Sequence, residues 1–220
     1  MSTKSSIYNV NQKQREQQKQ KQVDMSVVKR YEVIAIMFDF DNTLMNRHVY
    51  GMYCNTPDKA KQFMATVDKH NVMSLLSAGT LAMFGKLLSL CMSKGIKVAI
   101  GSYGNKDCIK HVCKLLFPNI DDIPIYTPSC FHDPNTGKRL DHGTDMRDNK
   151  LSIVSMFAKD YGFHRKHIML IDDDPNNVQA HVKYHNGVPM PFSTHDFKYQ
   201  STGLTVEHFV RIIDCINGSK

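Results

Sequence analysis

The amino-acid sequence predicts an α/β fold in which helices cover both faces of a parallel sheet. Short continuous apolar runs recur along the chain, as expected of strands that are buried on both faces. Segments with apolar residues at helical spacing separate these runs, and such alternation is typical of parallel sheets. The chain has 220 residues, of which 41% are hydrophobic, and this is enough for one well-packed core.

The first strand is predicted at residues 33–38, a continuous apolar and partly β-branched run. Thr56 and Pro57 then supply an N-cap and a proline at the first helical position, so a helix is expected to begin there. A second apolar stripe at helical spacing covers residues 81–91, and Gly95 is expected to end that helix.

The middle of the chain continues the same alternation. Residues 96–101 predict a second strand, residues 108–116 predict a helix that stops before Pro118, and residues 124–127 predict a short third strand. A Pro-Asn-Thr-Gly turn signal then predicts a small hairpin within residues 131–143.

The last third of the chain is predicted to contain three helices and two strands. They are a helix at 150–161, a strand at 167–171, a short helix after Asp174, a fifth strand at 188–192 and a closing helix at 205–216. The helix at 150–161 is expected to turn Val154, Phe157, Ala158 and Tyr161 inward.

The net charge of +7 is concentrated at the N-terminus. Residues 1–30 contain seven Lys or Arg and two Asp or Glu, whereas the other residues contain twenty-one and nineteen. The segment at 11–22 has no apolar residue and cannot bury anything. We therefore expect a basic tail at 1–29, disordered or a solvated helix, and one folded domain at 30–220. The tail could contact RNA or an anionic surface, although a solvated tail is the favoured interpretation.

Composition argues against a secreted or membrane protein. The N-terminus lacks an apolar signal-peptide core, and no apolar run approaches the length that crosses a bilayer. The six cysteines form no CxxC pair and no disulfide-dense spacing. We expect a cytoplasmic or nuclear protein with reduced thiols and no membrane partner.

Several predicted strands run into polar residues. The first leads into Asp39 and Asp41, the second into Ser102, and the fourth into Asp172 and Asp173. Ligands of such sheets bind beyond the carboxyl ends of the strands, so these carboxylates would converge at one edge. That much negative charge resists burial unless it is neutralised. Mg²⁺ is the simplest neutralising group, because it prefers carboxylate, carbonyl and water oxygens.

The spacing of Asp39 and Asp41 indicates phosphoryl-transfer chemistry. If the loop after the strand curls, both carboxylates can face one site, and one can attack phosphorus while the other transfers protons. Ser102 could donate a hydrogen bond to a phosphoryl oxygen, and Lys150, at a helix start, could supply positive charge. Three other cations are alternatives to Lys150: Lys138, Arg139 and Arg147.

Four motifs, in this order, resemble those of the haloacid dehalogenase (HAD) superfamily. Residues 39–44, DFDNTL after an apolar strand, resemble its DxDxT motif. Ser102, Lys150 and residues 171–177, IDDDPNN, resemble the second, third and fourth motifs. The resemblance spans about residues 31–192. It implies a three-layer, Rossmann-like (HAD-like) parallel sheet with only a minimal cap.

The resemblance also implies a magnesium-dependent phosphatase that works through an aspartyl-phosphate. Asp39 would be the nucleophile and a metal ligand. Asp41 would protonate the leaving group and then activate water, while its backbone carbonyl binds the metal. Asp173 would be the direct metal ligand and Asp172 a water-mediated one, although the reverse assignment stays open.

The remaining implied roles concern the phosphoryl group. Thr43 would help to orient the loop at the phosphate, and Ser102 and Lys150 would hold the phosphoryl group. The acid at position 41 favours phosphatase or phosphotransferase chemistry, since dehalogenating members of the superfamily lack an Asp there.

Two short segments could form a cap over the site. Residues 44–79 supply about one predicted helix with flanking loops, and residues 129–149 have room for a hairpin. By resemblance, small-cap members have open sites that accept macromolecules, or they close the site by oligomerisation. A phosphorylated small molecule or a phosphoprotein is therefore the expected substrate. Four residues could line the pocket or form an exposed flap: Arg47, His48, Tyr50 and Tyr53.

Several assignments stay open at this level. One alternative is a nucleotide or polynucleotide-end phosphatase whose basic tail binds nucleic acid. Another is a catalytically silent protein that keeps the fold as a binding module. Asp174, before Pro175, is expected to be a helix N-cap, whereas Asn176 and Asn177 could support the metal site or face solvent.

Overall fold

The computed structural model describes residues 32–117, 123–132, 136, 150–194 and 203–218, and a parallel sheet lies at their centre. Its strands are β1 (Ala35–Phe38), β2 (Lys97–Gly101), β3 (Ile125–Tyr126) and β4 (Ile168–Ile171). The order across the described sheet is β3, β2, β1, β4, and each neighbouring pair is parallel. The predicted α/β class with a parallel sheet is thus confirmed.

Strand β1 lies between β2 and β4, and the three strands end at nearly the same position along the sheet. The last residue of β1, Phe38, pairs with Ile100 on one side and Ile171 on the other. All residues of β1 and β4 are buried, as their continuous apolar sequences predict. The residues that follow these two strands, Asp39 and Asp172, therefore leave the sheet side by side.

Five of the described helices lie between consecutive strands of the chain, and the last two follow β4. The helices are α1 (Pro57–Thr66), α2 (Lys69–Met73), α3 (Thr80–Ser93), α4 (Lys106–Leu116), α5 (Lys150–Tyr161), α6 (Pro175–His185) and α7 (Val206–Asn217). Two 3₁₀ turns occur at Pro128–Phe131 and Arg165–His167, and two wide turns occur at Phe40–Leu44 and Tyr50–Cys54.

Two hydrophobic cores lie on the opposite faces of the sheet. Alternate residues of β1 point to opposite faces, so Phe38 joins one core and Met37 joins the other. The first core includes residues of α1, α3, α4 and α7, among them Phe84 and Phe209. The second includes the inner face of α5, with Phe157 fully buried. Helices therefore cover both faces, as predicted.

Local signals in the sequence explain most helix ends. The Thr56 hydroxyl accepts a hydrogen bond from the Lys59 amide at 3.3 Å, which caps α1. The Asp174 carboxylate accepts from the Asn176 amide at 2.9 Å, so Asp174 is the predicted N-cap of α6. Beyond α3, Gly95 adopts a φ of 71°, a conformation that a glycine takes without strain.

Three predictions about individual elements were wrong. The fifth strand at 188–192 is reduced to one bridge between Met169 and Val188, since Pro189 has no N–H to continue the ladder. Tyr161 does not turn inward: it is 42% exposed at the end of α5. The 44–79 segment contains a second helix, α2, which begins with a capping box between Asp68 and Asn71.

Other predictions fall on residues outside the described ranges. They are the tail at 1–29, nearly all of the hairpin within 131–143, and the alternative cations Lys138, Arg139 and Arg147. Among the described residues, no helix is long and apolar enough to cross a membrane. All six cysteines are free thiols, as expected.

A short segment before α7 supports the wide turn that follows β1. The amide of Leu204 donates to the carbonyl of Thr43 at 2.7 Å, and Leu204 is buried. Gly203 has a φ of 62°, and a Cβ at this position would lie 2.7 Å from the Met45 carbonyl oxygen. The close approach of these two backbone segments therefore requires glycine at position 203.

We predict that Gly203→Ala destabilises the fold by at least about 2 kcal/mol, because it adds left-handed strain and a clash with backbone. Gly85→Ala is the matched control, since a Cβ at this helical position meets no atom within 4 Å. That control should be neutral or stabilising by up to about 1 kcal/mol. Urea unfolding measures both, and equal effects of the two substitutions would contradict the close packing at Gly203.

Candidate functional site

The candidate site lies at the carboxyl edge of the sheet, where β1, β2 and β4 end. Asp39 follows β1, Ser102 follows β2 and Asp172 follows β4. Since β1 lies between β2 and β4, Asp39 occupies the middle of this edge. Its amide donates to the Ile171 carbonyl at 2.8 Å, which continues the sheet pairing by one residue. Parallel topology therefore brings together residues that are far apart in the sequence.

Three carboxylates form a cluster at this edge. One oxygen from each of Asp39, Asp172 and Asp173 lies within 4.8 Å of the others. Asp172 is only 1% exposed, Asp39 is also buried, and Asp173 is half-buried. The cluster is the one group of His, Cys, Asp or Glu side chains with this spacing in the described part of the chain. Such an arrangement could bind a divalent cation.

Lys150, the first residue of α5, places a buried ammonium against this cluster. Its Nζ lies 2.6 Å from Asp39 Oδ1 and 3.2 Å from Asp172 Oδ2. It also donates to the Gly101 carbonyl at 2.6 Å, and the whole side chain is 2% exposed. A charge in this position is stabilised only because each of its donors has an acceptor. Of the predicted cations, Lys150 is the one that lies at the site within the described ranges.

Burial dominates the ionisation of the carboxylates. Burial raises the pKa of Asp39. The Lys150 ammonium opposes this shift, whereas the neighbouring carboxylates Asp172 and Asp173 add to it. Burial also raises the pKa of Asp173, and repulsion from the Asp172 carboxylate raises it further. Desolvation lowers the pKa of Lys150, but Asp39 and Asp172 outweigh it, so the net pKa is raised and the ammonium stays charged. Two carboxylates thus contact the ammonium directly, and a third lies beside them.

Asp172 and Asp173 differ in how their oxygens are occupied. Asp172 Oδ1 accepts from the Asp174 amide at 2.9 Å and from the Asn177 side chain at 3.1 Å. Its Oδ2 faces Lys150, so Asp172 already has partners on both oxygens. Asp173 Oδ1 has a long contact, 3.4 Å, with the Thr43 hydroxyl. Asp173 is therefore the more available of the two for an additional ligand, and Asn177 positions Asp172 rather than facing solvent.

The wide turn Phe40–Leu44 curls Asp41 back toward the same edge. Asn42 adopts a left-handed conformation with a φ of 56°, which reverses the chain direction. Asp41 Oδ1 accepts a hydrogen bond from the Tyr50 amide at 3.0 Å, and the side chain is buried. Burial raises the pKa of Asp41, while the Tyr50 amide and His48 lower it. Asp41 is thereby held in one orientation.

Thr43 connects this turn to the fourth motif. The amide of Asp173 donates to the Thr43 hydroxyl oxygen at 3.1 Å, and Thr43 is fully buried. Thr43 therefore links the turn after β1 to the loop after β4, whereas its role at a phosphate stays a prediction.

The backbone of Gly104 packs closely against Ser102 and Asp41. Ser102 is buried, and its Oγ accepts from the Gly104 amide at 3.0 Å. A Cβ at position 104 would lie 3.2 Å from Ser102 Oγ and 3.4 Å from Asp41 Oδ2. A side chain there would reduce the space between these two groups. Gly104 was not singled out from the sequence, although it follows Ser102 by only two residues.

The four residues expected to line a pocket or form a flap have different environments. Tyr53 stacks on Phe63 with ring centroids 5.3 Å apart, so it packs into the core. Tyr50 contributes its backbone amide to Asp41, whereas His48 is exposed and accepts from the Gly51 amide at 2.9 Å. Arg47 is exposed. Sequence reasoning also missed Tyr103, whose ring centroid lies 5.2 Å from Lys150 Nζ.

Comparison with known proteins adds no relative. No family model, no curated protein and no solved structure matches this chain. We therefore base the proposed function on the site's geometry and on the motif resemblance alone.

We predict that Mg²⁺ stabilises the protein and that Asp173→Asn abolishes this effect. At a concentration of about 100 Kd, a bound cation should add about 2.7 kcal/mol, which is roughly 5–10 °C in melting temperature for a domain of this size. Because burial raises the pKa of Asp39 and Asp173, protons compete with the cation, and its affinity should rise from pH 5 to pH 8. Thermal melts at several pH values measure both effects.

Without a bound metal ion, Asp173→Asn should stabilise the protein. A carboxylate whose pKa is raised on folding costs stability once pH exceeds its unfolded pKa, so the neutral amide should raise the melting temperature at pH 7. Asp58→Asn, at an exposed acid in the first turn of α1, is the control and should keep the full Mg²⁺ effect. An unchanged Mg²⁺ effect in Asp173→Asn would contradict a cation site at this cluster.

Proposed function

We propose that the protein is a magnesium-dependent phosphate monoester hydrolase of the HAD superfamily, with Asp39 as nucleophile. The observation that carries this proposal is the position of Asp39. It lies between a buried ammonium and two further carboxylates, at the edge of a parallel sheet where ligands bind. An aspartate that only stabilised the fold would need neither two further carboxylates around it nor a second acid, Asp41, two residues later.

The donor set fits Mg²⁺. All clustered side chains are carboxylates, the hard oxygen ligands that this ion prefers, and they exceed the buried ammonium in charge. Asp39 and Asp173 would bind the ion directly and Asp172 through water, since both Asp172 oxygens already have partners. The backbone carbonyl of Asp41 is the further ligand that the resemblance implies. Bound Mg²⁺ supplies positive charge that offsets the charge of the phosphoryl group.

Asp39 is suited to nucleophilic attack on phosphorus. Lys150 fixes one of its oxygens at 2.6 Å and thereby orients the carboxylate. In the first step an Asp39 oxygen forms a bond to phosphorus, the bond to the ester oxygen breaks, and the leaving oxygen takes a proton from Asp41. In the second step a water oxygen would form a bond to phosphorus and give a proton to Asp41, while the bond between phosphorus and the Asp39 oxygen breaks, which releases inorganic phosphate and restores the Asp39 carboxylate.

Asp41 has the environment that such proton transfer requires. Burial raises its pKa toward the pH at which it works, and the Tyr50 amide holds one oxygen. Ser102, with its hydroxyl hydrogen available for donation, and Lys150 would bind the phosphoryl oxygens. The glycine at position 104 keeps side-chain atoms away from Asp41 and Ser102, beside which the phosphoryl group would bind.

The substrate is proposed to be a phosphorylated small molecule or a phosphoprotein. Between residues 44 and 79, the buried residues of α1 and α2 join the main core, which supports the minimal cap that the resemblance implies for this segment. A site with a small cap would accept substrates of either size. The alternatives from the sequence, a nucleic-acid phosphatase and a silent binding protein, stay predictions because the basic tail lies outside the described residues.

The first test is hydrolysis of p-nitrophenyl phosphate by the full-length protein. We expect turnover that requires Mg²⁺ and falls by roughly 10³-fold or more in Asp39→Asn, since the amide cannot act as nucleophile. Asp58→Asn is again the control and should keep full activity, because this acid lies exposed on α1.

Activity that survives in Asp39→Asn would show that another group is the nucleophile. A protein that binds Mg²⁺ but hydrolyses none of a broad panel of phosphate esters would favour the silent binding protein. These two results are distinguishable, because only the first one leaves turnover intact.

A further inference from the structure

Tyr103 is an aromatic residue at the mouth of the candidate site with no role in the proposed chemistry. It follows Ser102 directly and is 46% exposed, although its neighbours Ser102 and Gly104 are buried. A large apolar ring at an exposed loop position contributes little to the core. Its location next to the site therefore calls for a local explanation.

The ring of Tyr103 contacts the buried ammonium. Lys150 Nζ lies over it, 5.2 Å from the centroid, within the range of a cation–π interaction. Burial raises the pKa of the Tyr103 hydroxyl, although the Lys150 ammonium and a hydrogen bond from the Lys150 backbone to the hydroxyl oppose the shift. The phenol is therefore neutral at physiological pH and offers the electron-rich face that attracts a cation.

The Lys150 ammonium has three hydrogens, and three acceptors surround it. They are Asp39 Oδ1, Gly101 O and Asp172 Oδ2, at 2.6, 2.6 and 3.2 Å. All three belong to the sheet edge, which leaves the outer side of the ammonium to be covered by other groups. The ring of Tyr103 contributes to this cover, and Lys150 is only 2% exposed.

We propose that Tyr103 is a positioning residue, whose ring holds the Lys150 ammonium at Asp39 and shields it from water. Binding a phosphoryl oxygen requires Lys150 to redirect at least one of its hydrogens from a carboxylate. The attraction to a ring face does not depend on the direction of any single N–H bond, so it persists during this exchange. The shielding also lowers the local dielectric and strengthens the contact of Lys150 with Asp39.

The phosphoryl part of this inference rests on the proposed function, whereas the shielding of Lys150 does not. We therefore propose two readouts on the full-length protein. The first is the rate at which a limiting amount of an amine-methylating reagent modifies Lys150, followed by peptide mass spectrometry. The second is the steady-state kinetics of p-nitrophenyl phosphate hydrolysis with Mg²⁺.

Three variants distinguish the contribution of the Tyr103 ring from that of its hydroxyl and from the effect of removing any exposed tyrosine beside a lysine. Tyr103→Leu removes the ring, Tyr103→Phe keeps it, and Tyr184→Leu is the matched control. Tyr184 is 64% exposed and has Lys183 Nζ 4.9 Å from its ring centroid, in a pair on α6 that is separate from the carboxylate cluster. If Tyr103→Leu does not fold, Tyr103→Met gives the same loss of the ring face with an unbranched side chain.

We expect Tyr103→Leu to raise the modification rate of Lys150 and to lower kcat/KM by about 5- to 30-fold, the range that corresponds to a shielded cation–π contact. Tyr103→Phe keeps the ring but loses the hydrogen bond between its hydroxyl and the Lys150 backbone, so its change in both readouts should be smaller than that of Tyr103→Leu, and Tyr184→Leu should change neither. An unchanged modification rate in Tyr103→Leu would overturn the inference, whatever the activity. Exposure of Lys150 in a protein without turnover would support the shielding and count against the proposed function.

Discussion

The ion pair between Lys150 and Asp39 is the interaction on which the rest of the site depends. Two buried charges are costly to desolvate, and the loss of either partner would leave the other one unpaired, at a cost of about 3–5 kcal/mol. The pair lies at the end of β1, with the Gly101 carbonyl and Asp172 as further acceptors for the ammonium. Each neighbouring strand therefore contributes one group to the same cation.

The excess of carboxylates around this pair opposes stability and favours function. Three acids meet one ammonium, and burial raises the pKa of Asp39 and of Asp173. Repulsion of this kind costs free energy of folding in the metal-free protein, and in the proposed function a bound divalent cation would offset this cost. The loops that impose the arrangement, the 40–44 turn and the cap of α6, are in turn fixed by Thr43 and Asp174.

Sequence patterns were sufficient where a single local rule applied. The apolar runs located β1 and β4, and Thr56 and Asp174 marked helix starts, because capping and strand burial depend on neighbours in the chain. Parallel order then placed Asp39 beside Asp172. The contact of Tyr103 with Lys150 follows no such rule, since it joins a loop residue to the first residue of a helix forty-seven positions away. The fifth strand failed because its apolar pattern contains Pro189, whose effect on the ladder outweighs hydrophobicity.

The central claim is that Asp39 becomes phosphorylated, and the most direct measurement is to locate that phosphoryl group. The full-length protein would be mixed with p-nitrophenyl phosphate and Mg²⁺, quenched in acid during turnover, digested and analysed by peptide mass spectrometry. We expect one phosphoryl group on the peptide that contains Asp39, removed by hydroxylamine as an acyl phosphate should be, and absent without Mg²⁺. A phosphoryl group on another residue, or hydrolysis with an Asp39 peptide that is never phosphorylated, would contradict the account.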